Sequence, residues 1–204
     1  MLPSETNFSI FLTTLKVRVV LANITLIDQA LPKYDEREYH QIDIRGERRE
    51  VYQTVRTIDF SDSLIIRTLF RLRGLPSTST NLNGLLRVGF LLVREIPDKE
   101  FVLGLVGKFW TLRAEILKLN PVQYGEFNQR GYAKLAWNFA IQESASDMVK
   151  LSTETRIACT DDHSRLRFKL YWALIGRFSG LTRREMLRGV KRTVELNKKQ
   201  LRAR

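Results

Sequence analysis

The chain contains very little cysteine and histidine. Its 204 residues include one cysteine, Cys159, and two histidines, His40 and His163. A single cysteine excludes an internal disulfide and is typical of proteins from a reducing compartment, so we expect a cytoplasmic location. Two histidines are too few to favour a histidine-based metal site. We therefore predict neither a bound metal nor another cofactor.

Long apolar runs are also missing. Lys16 and Arg18 interrupt the apolar residues near the start, and neither remaining stretch reaches the roughly 18–20 residues needed to cross a bilayer. No basic stretch precedes the first apolar one, so a secretory signal peptide is not expected. We interpret residues 1–32 as an N-terminal extension of uncertain order, with an interfacial helix as an alternative. The folded domain is expected to comprise residues 33–204.

Positive charge is abundant and unevenly distributed. The formal net charge is +12 and the sequence pI is about 10.1. Residues 164–204 contain 13 Lys or Arg and two acidic residues, a net of +11, so nearly all of the excess lies there. Such a segment attracts an anionic membrane, an acidic protein or nucleic acid, or it is simply a solvated helix face. No nucleic-acid-binding motif accompanies it, so nucleic acid is not an expected partner.

The spacing of apolar residues predicts an α+β fold. Alternation predicts a first strand at residues 39–44, and helical spacing predicts two short helices after it, at residues 47–58 and 62–73, the second capped by Ser61. A polar loop is expected at residues 77–84. Further strands, of which the third is expected to be a bulged edge strand, are predicted at residues 86–96, 101–110, 114–127, 132–142 and 149–159.

A long basic helix is predicted to close the chain, over residues 161–204. Asp161 or Asp162 is expected to cap its start, a more common role than metal or acid–base work together with His163. Two glycines, at positions 176 and 180, precede a Thr-x-x-Glu capping box at residues 182–185. This pattern predicts a kink or short break near residues 179–181.

Five segments of the chain carry a resemblance to a known superfamily. They are residues 68–76, 102–110, 131–139, 151–156 and 168–176. In amino-acid sequence and in their order along the chain they resemble the START-like (SRPBCC) helix-grip superfamily, which includes pollen-allergen-like proteins, polyketide cyclases and lipid-transfer domains. The resemblance covers about residues 33–200. It implies a curved antiparallel sheet wrapped around the C-terminal helix, with a cavity between them, and it transfers no catalytic residue.

Aromatic and hydroxyl side chains are predicted to line that cavity. Trp137 and Phe139 share one face of their strand, and Thr153 and Thr155 share the face of Leu151 on the next. A packed core made of the same residues is the alternative, and buried threonines bond either the backbone or a ligand. The predicted ligand pocket comprises Phe90, Trp110, Trp137, Phe139, Thr153, Thr155, Phe168, Trp172 and Ile175.

The orientation of two charged side chains in the last strand distinguishes a binding protein from an enzyme. Glu154 and Arg156 alternate with the inward threonines, so we expect them on a solvated outer face in cross-strand charge pairs. If the orientation were inverted, they would form a buried acid and base. Cys159 is expected to be a small buried apolar side chain. No catalytic residue is predicted.

Three functions follow from these observations. The first is binding of a small hydrophobic or amphipathic ligand, such as a lipid, an isoprenoid or a polyketide-like compound. The second is a cyclase or dehydratase on the same fold, which would need a polar residue with a perturbed pKa inside the cavity. The third is an interaction module whose basic helix docks on an anionic membrane or an acidic partner.

Overall fold

A five-stranded antiparallel sheet organises the fold. The computed structural model describes residues 25–61, 63–64, 66–68, 80–111, 114–145 and 147–202. The sheet is curved and unclosed, with the strand order β1-β5-β4-β3-β2. Its strands are β1 (Glu36–Arg45), β2 (Leu91–Ile96), β3 (Glu100–Gly107), β4 (Ala133–Ala145) and β5 (Met148–Cys159).

Helices lie on both faces of this sheet. The longest of them, α5, has 41 residues and contacts β1, β4 and β5 on what we call the inner face. The short helix α1 packs on the opposite, outer face against β3 and β4. The predicted α+β helix-grip architecture is therefore confirmed. The helices are α1 (Leu26–Ala30), α2 (Arg48–Thr57), α3 (Leu82–Arg87), α4 (Pro121–Glu126) and α5 (Asp162–Arg202).

Alternation along β4 and β5 places the core on the inner face, as predicted. Trp137, Phe139 and Ile141 point into the main apolar cluster, whereas Ala136 packs under α1 on the outer face. Every residue of β3 is buried, because helices cover both of its faces. The lower half of α5 completes the cluster with Met186, Leu187, Val190 and Val194.

Two segments predicted as strands contain helices. In residues 86–96 the strand begins only at Leu91, because α3 occupies the first part, and the Asn81 side chain caps that helix by accepting from Gly84 N at 2.8 Å. The prediction of an edge strand at residues 114–127 was wrong. Asn120 and Gln123 form a capping box with Pro121 at the first turn, which starts α4.

The outer face of the sheet is covered, and the expectation that it is solvated was wrong. Leu26, Ile27 and Leu31 pack there with Val102 and Ala136. The packed part of the chain therefore begins before the boundary expected at residue 33. Residues 1–24 of the predicted extension lie outside the described residues.

The last helix runs unbroken through residues 179–181, so the short break predicted there as an alternative to a kink was wrong. Asp161 caps it as expected, accepting from Ser164 N at 2.9 Å. Gly180 does not break the helix: a Cβ there would lie 2.7 Å from Glu38 Oε1, so glycine allows α5 to approach β1 closely. The Thr182 hydroxyl donates to the Phe178 carbonyl at 2.9 Å, a bond within a continuing helix.

The helix predicted at residues 62–73 lies largely outside the described residues. Residues 64 and 66–68 are helical, and the side chain that caps them is Ser63, which accepts from Ile66 N at 3.3 Å. The predicted cap, Ser61, instead donates its backbone N–H to Asp59 Oδ1 at 2.8 Å. None of the helices in the described ranges combines the length and the apolar character that crossing a bilayer requires.

Candidate ligand-binding cavity

A cavity of about 100 Å³ lies between α5 and the inner face of the sheet. The strands form its floor, the first half of α5 forms its roof, and the segments around α3 and after β3 close its sides. The floor consists of Leu105, Leu135, Trp137, Thr155 and Ile157. The roof consists of Phe168, Tyr171, Trp172, Ile175, Ser179 and Arg183. The sides are formed by Leu85, Phe90, Phe109, Ala114 and Ile116.

Six of the nine predicted pocket residues line this cavity. They come from four separate parts of the chain, which the sheet and α5 bring together, and they are Phe90, Trp137, Thr155, Phe168, Trp172 and Ile175. The other three, Trp110, Phe139 and Thr153, are not in its wall. That any of them contacts a ligand stays a prediction.

Two of the three residues outside the cavity wall have structural roles. Thr153 is 1% exposed; its hydroxyl accepts from Trp137 Nε1 at 2.7 Å and donates to the Asn138 carbonyl at 2.7 Å. Phe139 packs against Phe101 with ring centroids 5.4 Å apart. Trp110 contacts Phe168, with ring centroids 6.5 Å apart, and its buried indole N–H has no acceptor among the described residues.

Aromatic rings make up much of the cavity wall. Phe168 stacks on Trp172 with centroids 5.5 Å apart, and Phe109 meets Phe168 edge to face at 6.5 Å. On the other side, Phe90 meets Trp137 edge to face at 6.1 Å. Such rings present flat apolar surface with little conformational freedom to lose, which suits an apolar ligand.

One wall of the cavity is polar, and its main residue, Arg183, was missed by sequence reasoning. Arg183 is 7% exposed, its Nε donates to Thr155 Oγ1 at 3.2 Å, and its Cζ lies 3.6 Å from the Trp137 ring centroid. In the sequence it looked like one more basic residue of the last helix. The signal was its position, four residues after Ser179 and eight after Ile175, on the face that meets the sheet.

Glu154 and Arg156 lie on the outer face, away from the cavity. Arg156 Nε donates to Glu154 Oε1 at 2.6 Å, its Nη2 donates to Asp28 Oδ1 at 2.6 Å, and Arg37 Nε donates to Glu154 Oε1 at 2.7 Å. Burial opposes ionisation of Glu154, but the hydrogen bonds from Arg37 and Arg156 outweigh it and lower the pKa of this carboxyl. The arrangement holds α1 on the sheet.

The described part of the cavity wall offers hydrogen-bond donors and a cation, but no carboxylate or imidazole. Near the start of α5, Cys159 is half-buried; burial first, and then the Asp35 carboxylate, raise the pKa of its thiol to about 12. A thiol of this kind is not a nucleophile at neutral pH. Within the described ranges, no three side chains of His, Cys, Asp or Glu are grouped to hold a metal ion.

The size of the cavity limits what fits without rearrangement. Pockets for drug-sized ligands have volumes of roughly 300–1,000 Å³, compared with about 100 Å³ here. Tyr171 and Trp172 on the roof are only partly buried. A ligand larger than a few heavy atoms therefore requires part of the cavity wall to move.

Comparison with known proteins gives distant structural similarities only. No protein-family model matches the chain, and no curated protein matches it. A crystal structure of hypothetical protein jhp0584 from Helicobacter pylori is 10% identical with a TM-score of 0.38, covering 79% of this chain and 89% of that one. The Zhui aromatase/cyclase from Streptomyces sp. R1128 is 11% identical with a TM-score of 0.31, covering 78% and 93%. Neither similarity bears on what this chain binds.

Proposed function

We propose that this protein binds a small hydrophobic or amphipathic molecule, such as a lipid, an isoprenoid or a polyketide-like compound, between α5 and the sheet. The observation that carries the proposal is the aromatic cavity with a polar wall at Arg183 and Thr155. Burial of apolar ligand surface contributes about 25 cal/mol per Å² before ordering costs. A ligand that buries about 200 Å² would gain about 5 kcal/mol in this way.

The polar groups of the cavity support binding more than catalysis. A cyclase or dehydratase needs a group that transfers a proton near neutral pH. Glu154 and Arg156, which an inverted strand would have supplied, face α1. The described wall offers instead Thr155, Ser179 and Arg183 beside its aromatic rings.

Native mass spectrometry of the purified protein, followed by denaturing extraction, tests the proposal. We expect an apolar adduct that is retained by the wild type and by Leu174→Trp, whose side chain is exposed on α5. Ile175→Trp fills the cavity from the neighbouring position and should lose the adduct. An adduct that survives Ile175→Trp unchanged would show that the molecule binds elsewhere. An adduct-free wild type that also binds no apolar probe in solution would contradict the proposal.

A leucine stripe on α5 supports a second candidate function, docking on an anionic membrane. We define the stripe as Leu166, Leu170, Leu174 and Leu181, which are 62%, 71%, 69% and 52% exposed and share one helix face. Exposed basic side chains lie beside it at positions 167, 169, 184 and 188, and residues 163–184 contain no acidic residue. A basic helix with an exposed apolar face is typical of peptides that lie in a membrane interface.

Vesicle co-sedimentation tests the membrane candidate. We expect binding to phosphatidylcholine vesicles only when phosphatidylserine is included, and weaker binding as salt is raised. The double variant Leu170→Ser/Leu174→Ser should bind at least about tenfold more weakly, because each leucine contributes roughly 1.5–3 kcal/mol when buried. Leu196→Ser, exposed on the same helix but outside the stripe, is the control. Binding that ignores lipid charge or salt would count against this candidate.

A further inference from the structure

A second hollow, which we call the basic hollow, lies beside the second half of α5, next to the end of β1 and the start of β5. Its volume of about 340 Å³ falls within the range of roughly 300–1,000 Å³ that is usual for small-molecule pockets. It is lined by Arg45, Met148, Lys191, Glu195, Lys198 and Lys199, of which four are cations and one is an acid. Lys191 lies eight residues beyond Arg183, or about 12 Å along the helix, so this hollow is separate from the aromatic cavity.

Hydrogen bonds between α5 and the end of β1 fix the walls of the basic hollow. Lys191 Nζ donates to the Asp43 carbonyl at 2.7 Å, and Arg45 N donates to Glu195 Oε1 at 3.2 Å. Val194, which lies between these two helix residues in the sequence, is fully buried. The helix is therefore held against the strand at this point. A ligand would meet walls that are already in place, which lowers the cost of ordering them on binding.

Two acids lie at the basic hollow, and they do not balance its cations. The Glu195 carboxylate accepts from Arg45 N and lies 3.4 Å from Lys191 Nζ. Asp147 Oδ2 lies 3.7 Å from Arg45 Nε and 4.0 Å from Lys198 Nζ, distances that are longer than a hydrogen bond. Four cations against these two acids leave a net charge of +2. Cations that converge on one concave surface repel each other and attract an anion from solution.

A neighbouring hollow has the opposite balance. It shares Met148 and Lys198 with the basic hollow, but its charged residues comprise three bases and four acids: Arg48, Arg49 and Lys198 against Glu47, Asp98, Glu143 and Asp147. Arg48 Nη2 lies 3.3 Å from Glu143 Oε1, so part of that positive charge is paired. The excess of cations therefore belongs to the hollow that Lys191 and Lys199 line.

The kind of cation favours one kind of anion. Three of the four cations in the basic hollow are lysines, and each ammonium is a compact charge with three hydrogen-bond donors. A phosphate monoester carries a charge of about −1.5 to −2 at neutral pH and three strong acceptor oxygens. A carboxylate has a single charge and two oxygens. Several ammonium groups around one hollow therefore suit phosphate groups better than carboxylates.

We infer that the basic hollow binds a small molecule with two or more phosphate groups, held by Arg45, Lys191, Lys198 and Lys199. This inference goes beyond the proposed function and does not depend on it, since the two sites lie at different parts of α5. The same phosphate chemistry occurs in free polyphosphates and in the head groups of phosphorylated lipids. The probes used in the test separate these two sources.

Isothermal titration calorimetry of the full chain at about 0.1 M salt provides the test. The probes are pyrophosphate and inositol hexakisphosphate, with citrate as the carboxylate anion for comparison. We expect at least one phosphate probe to bind at least about tenfold more tightly than citrate, and to bind more weakly as salt is raised. If neither phosphate probe binds, or if citrate binds as tightly, the inference is wrong.

Two double variants with the same change in net charge locate the effect. Lys198→Gln/Lys199→Gln removes two cations from the basic hollow and should weaken binding of the phosphate probe at least about tenfold. Arg188→Gln/Arg192→Gln removes two exposed cations of α5 outside the hollow and should change the affinity by less than about twofold. Equal losses in the two variants would show general attraction to a basic helix and would overturn the inference. The wild-type comparison with citrate needs neither variant.

Vesicle co-sedimentation identifies the source of the phosphate groups. The vesicles consist of phosphatidylcholine with phosphatidylinositol bisphosphate. Binding that Lys198→Gln/Lys199→Gln loses, and Arg188→Gln/Arg192→Gln keeps, would identify a lipid head group as the ligand. Vesicle binding that is absent or equal in all three proteins, together with the expected calorimetric result, would identify a free polyphosphate.

Discussion

At the residue scale, the two tryptophans near the cavity have opposite hydrogen-bond environments. Trp137 is 1% exposed and donates to Thr153, and its ring face carries Arg183. Trp110 contacts Phe168 at the start of α5, and its indole N–H has no acceptor in the described part of the chain. The Trp137 indole therefore contributes a hydrogen bond as well as its ring, whereas the Trp110 indole contributes its apolar ring.

This difference predicts different costs for the same substitution. Trp137→Phe should lower the free energy of unfolding by about 2–4 kcal/mol, because it leaves a cavity and removes the donor to Thr153. Trp110→Phe should cost less than about 1 kcal/mol, since it removes an N–H with no acceptor. Urea denaturation followed by far-UV circular dichroism measures both. Equal losses would show that the Trp137–Thr153 bond contributes little.

At the element scale, α1 depends on buried carboxylates for its place on the sheet. Glu100, which is 4% exposed, accepts from Leu26 N at 2.9 Å and from Asn138 Nδ2 at 2.7 Å. Arg156 then joins Glu154 to Asp28, and its Nη1 donates to the Leu31 carbonyl at 3.2 Å. The helix is thus held by charge-assisted bonds around a small apolar contact.

These bonds predict that α1 loosens in acid before the sheet does. Burial opposes ionisation of Asp28, but hydrogen bonds from Thr25 and Arg156 outweigh it and lower the pKa of this carboxyl. Burial likewise opposes ionisation of Glu154, and hydrogen bonds from Arg37 and Arg156 outweigh it and lower the pKa. A lowered folded-state pKa means that the stabilisation is complete above the unfolded value, about pH 4, and is lost as pH falls through the folded value.

Hydrogen exchange resolved by segment measures this. Amides of α1 should lose protection relative to those of β4 as pH is lowered below about 4. In Arg156→Met, which removes the shared cation, the pH dependence should be smaller. Protection of α1 that stays constant relative to β4 down to pH 3 would contradict the mechanism.

Close packing of α5 yields a second prediction at the element scale. A Cβ at Gly189 would lie 2.8 Å from Phe60 Cε1, whereas a Cβ at Gly125 in α4 would meet no atom within 4 Å. Gly189→Ala should therefore lower the free energy of unfolding by about 1–3 kcal/mol. Gly125→Ala, the matched helical control, should be neutral or raise it by up to about 1 kcal/mol. Thermal unfolding of both variants distinguishes a steric effect from helix propensity. A stabilising Gly189→Ala substitution would contradict the predicted clash with Phe60.

Sequence reasoning succeeded for elements whose periodicity was long. The alternation of β4 and β5 gave the correct inner face, and Asp161 was correctly identified as the cap of α5. It failed where a short helix interrupts an apolar run, as α3 does before Leu91, because one or two turns leave too little period to detect. The break predicted near Gly180 failed for another reason: only the fold shows that Glu38 lies against that glycine.

At the scale of the whole molecule, the two halves of α5 have different tasks. Its first half roofs the cavity, and its second half supplies Met186, Leu187, Val190 and Val194 to the core shared with the sheet and α2. These four buried side chains contribute roughly 6–12 kcal/mol. That is comparable to the whole stability of an ordinary domain, about 5–15 kcal/mol.

Truncation tests this division. A chain that ends at Ser179 keeps most of the cavity roof but should lose cooperative thermal unfolding and bind a hydrophobic dye, because the core is left open. A chain that ends at Leu196 keeps all four core residues and should unfold cooperatively. Circular dichroism and dye fluorescence measure the outcome. A cooperative transition in the shorter chain would show that the sheet is stable without the second half of α5.

The candidate site could be predicted only in part, because its walls belong to several elements. Strand parity correctly directed Trp137 and Thr155 toward α5, and helical spacing placed Phe168 and Trp172 on its roof. Parity alone could not distinguish Thr155 from Thr153, which lies two residues earlier on the same face of β5 but bonds Trp137 and the backbone instead. The role of Arg183 could not be predicted, because in the sequence it does not differ from the exposed basic residues around it.

The position of α5 after all five strands also has a consequence for synthesis. At about 5–20 residues per second, the 41 residues of this helix take about 2–8 s to be made after β5 is complete. During that interval the inner face, with Trp137, Ile141 and Leu151, has no helix to cover it. A nascent chain at this stage presents a broad apolar surface, and we expect chaperones to engage it on the ribosome until α5 has been made.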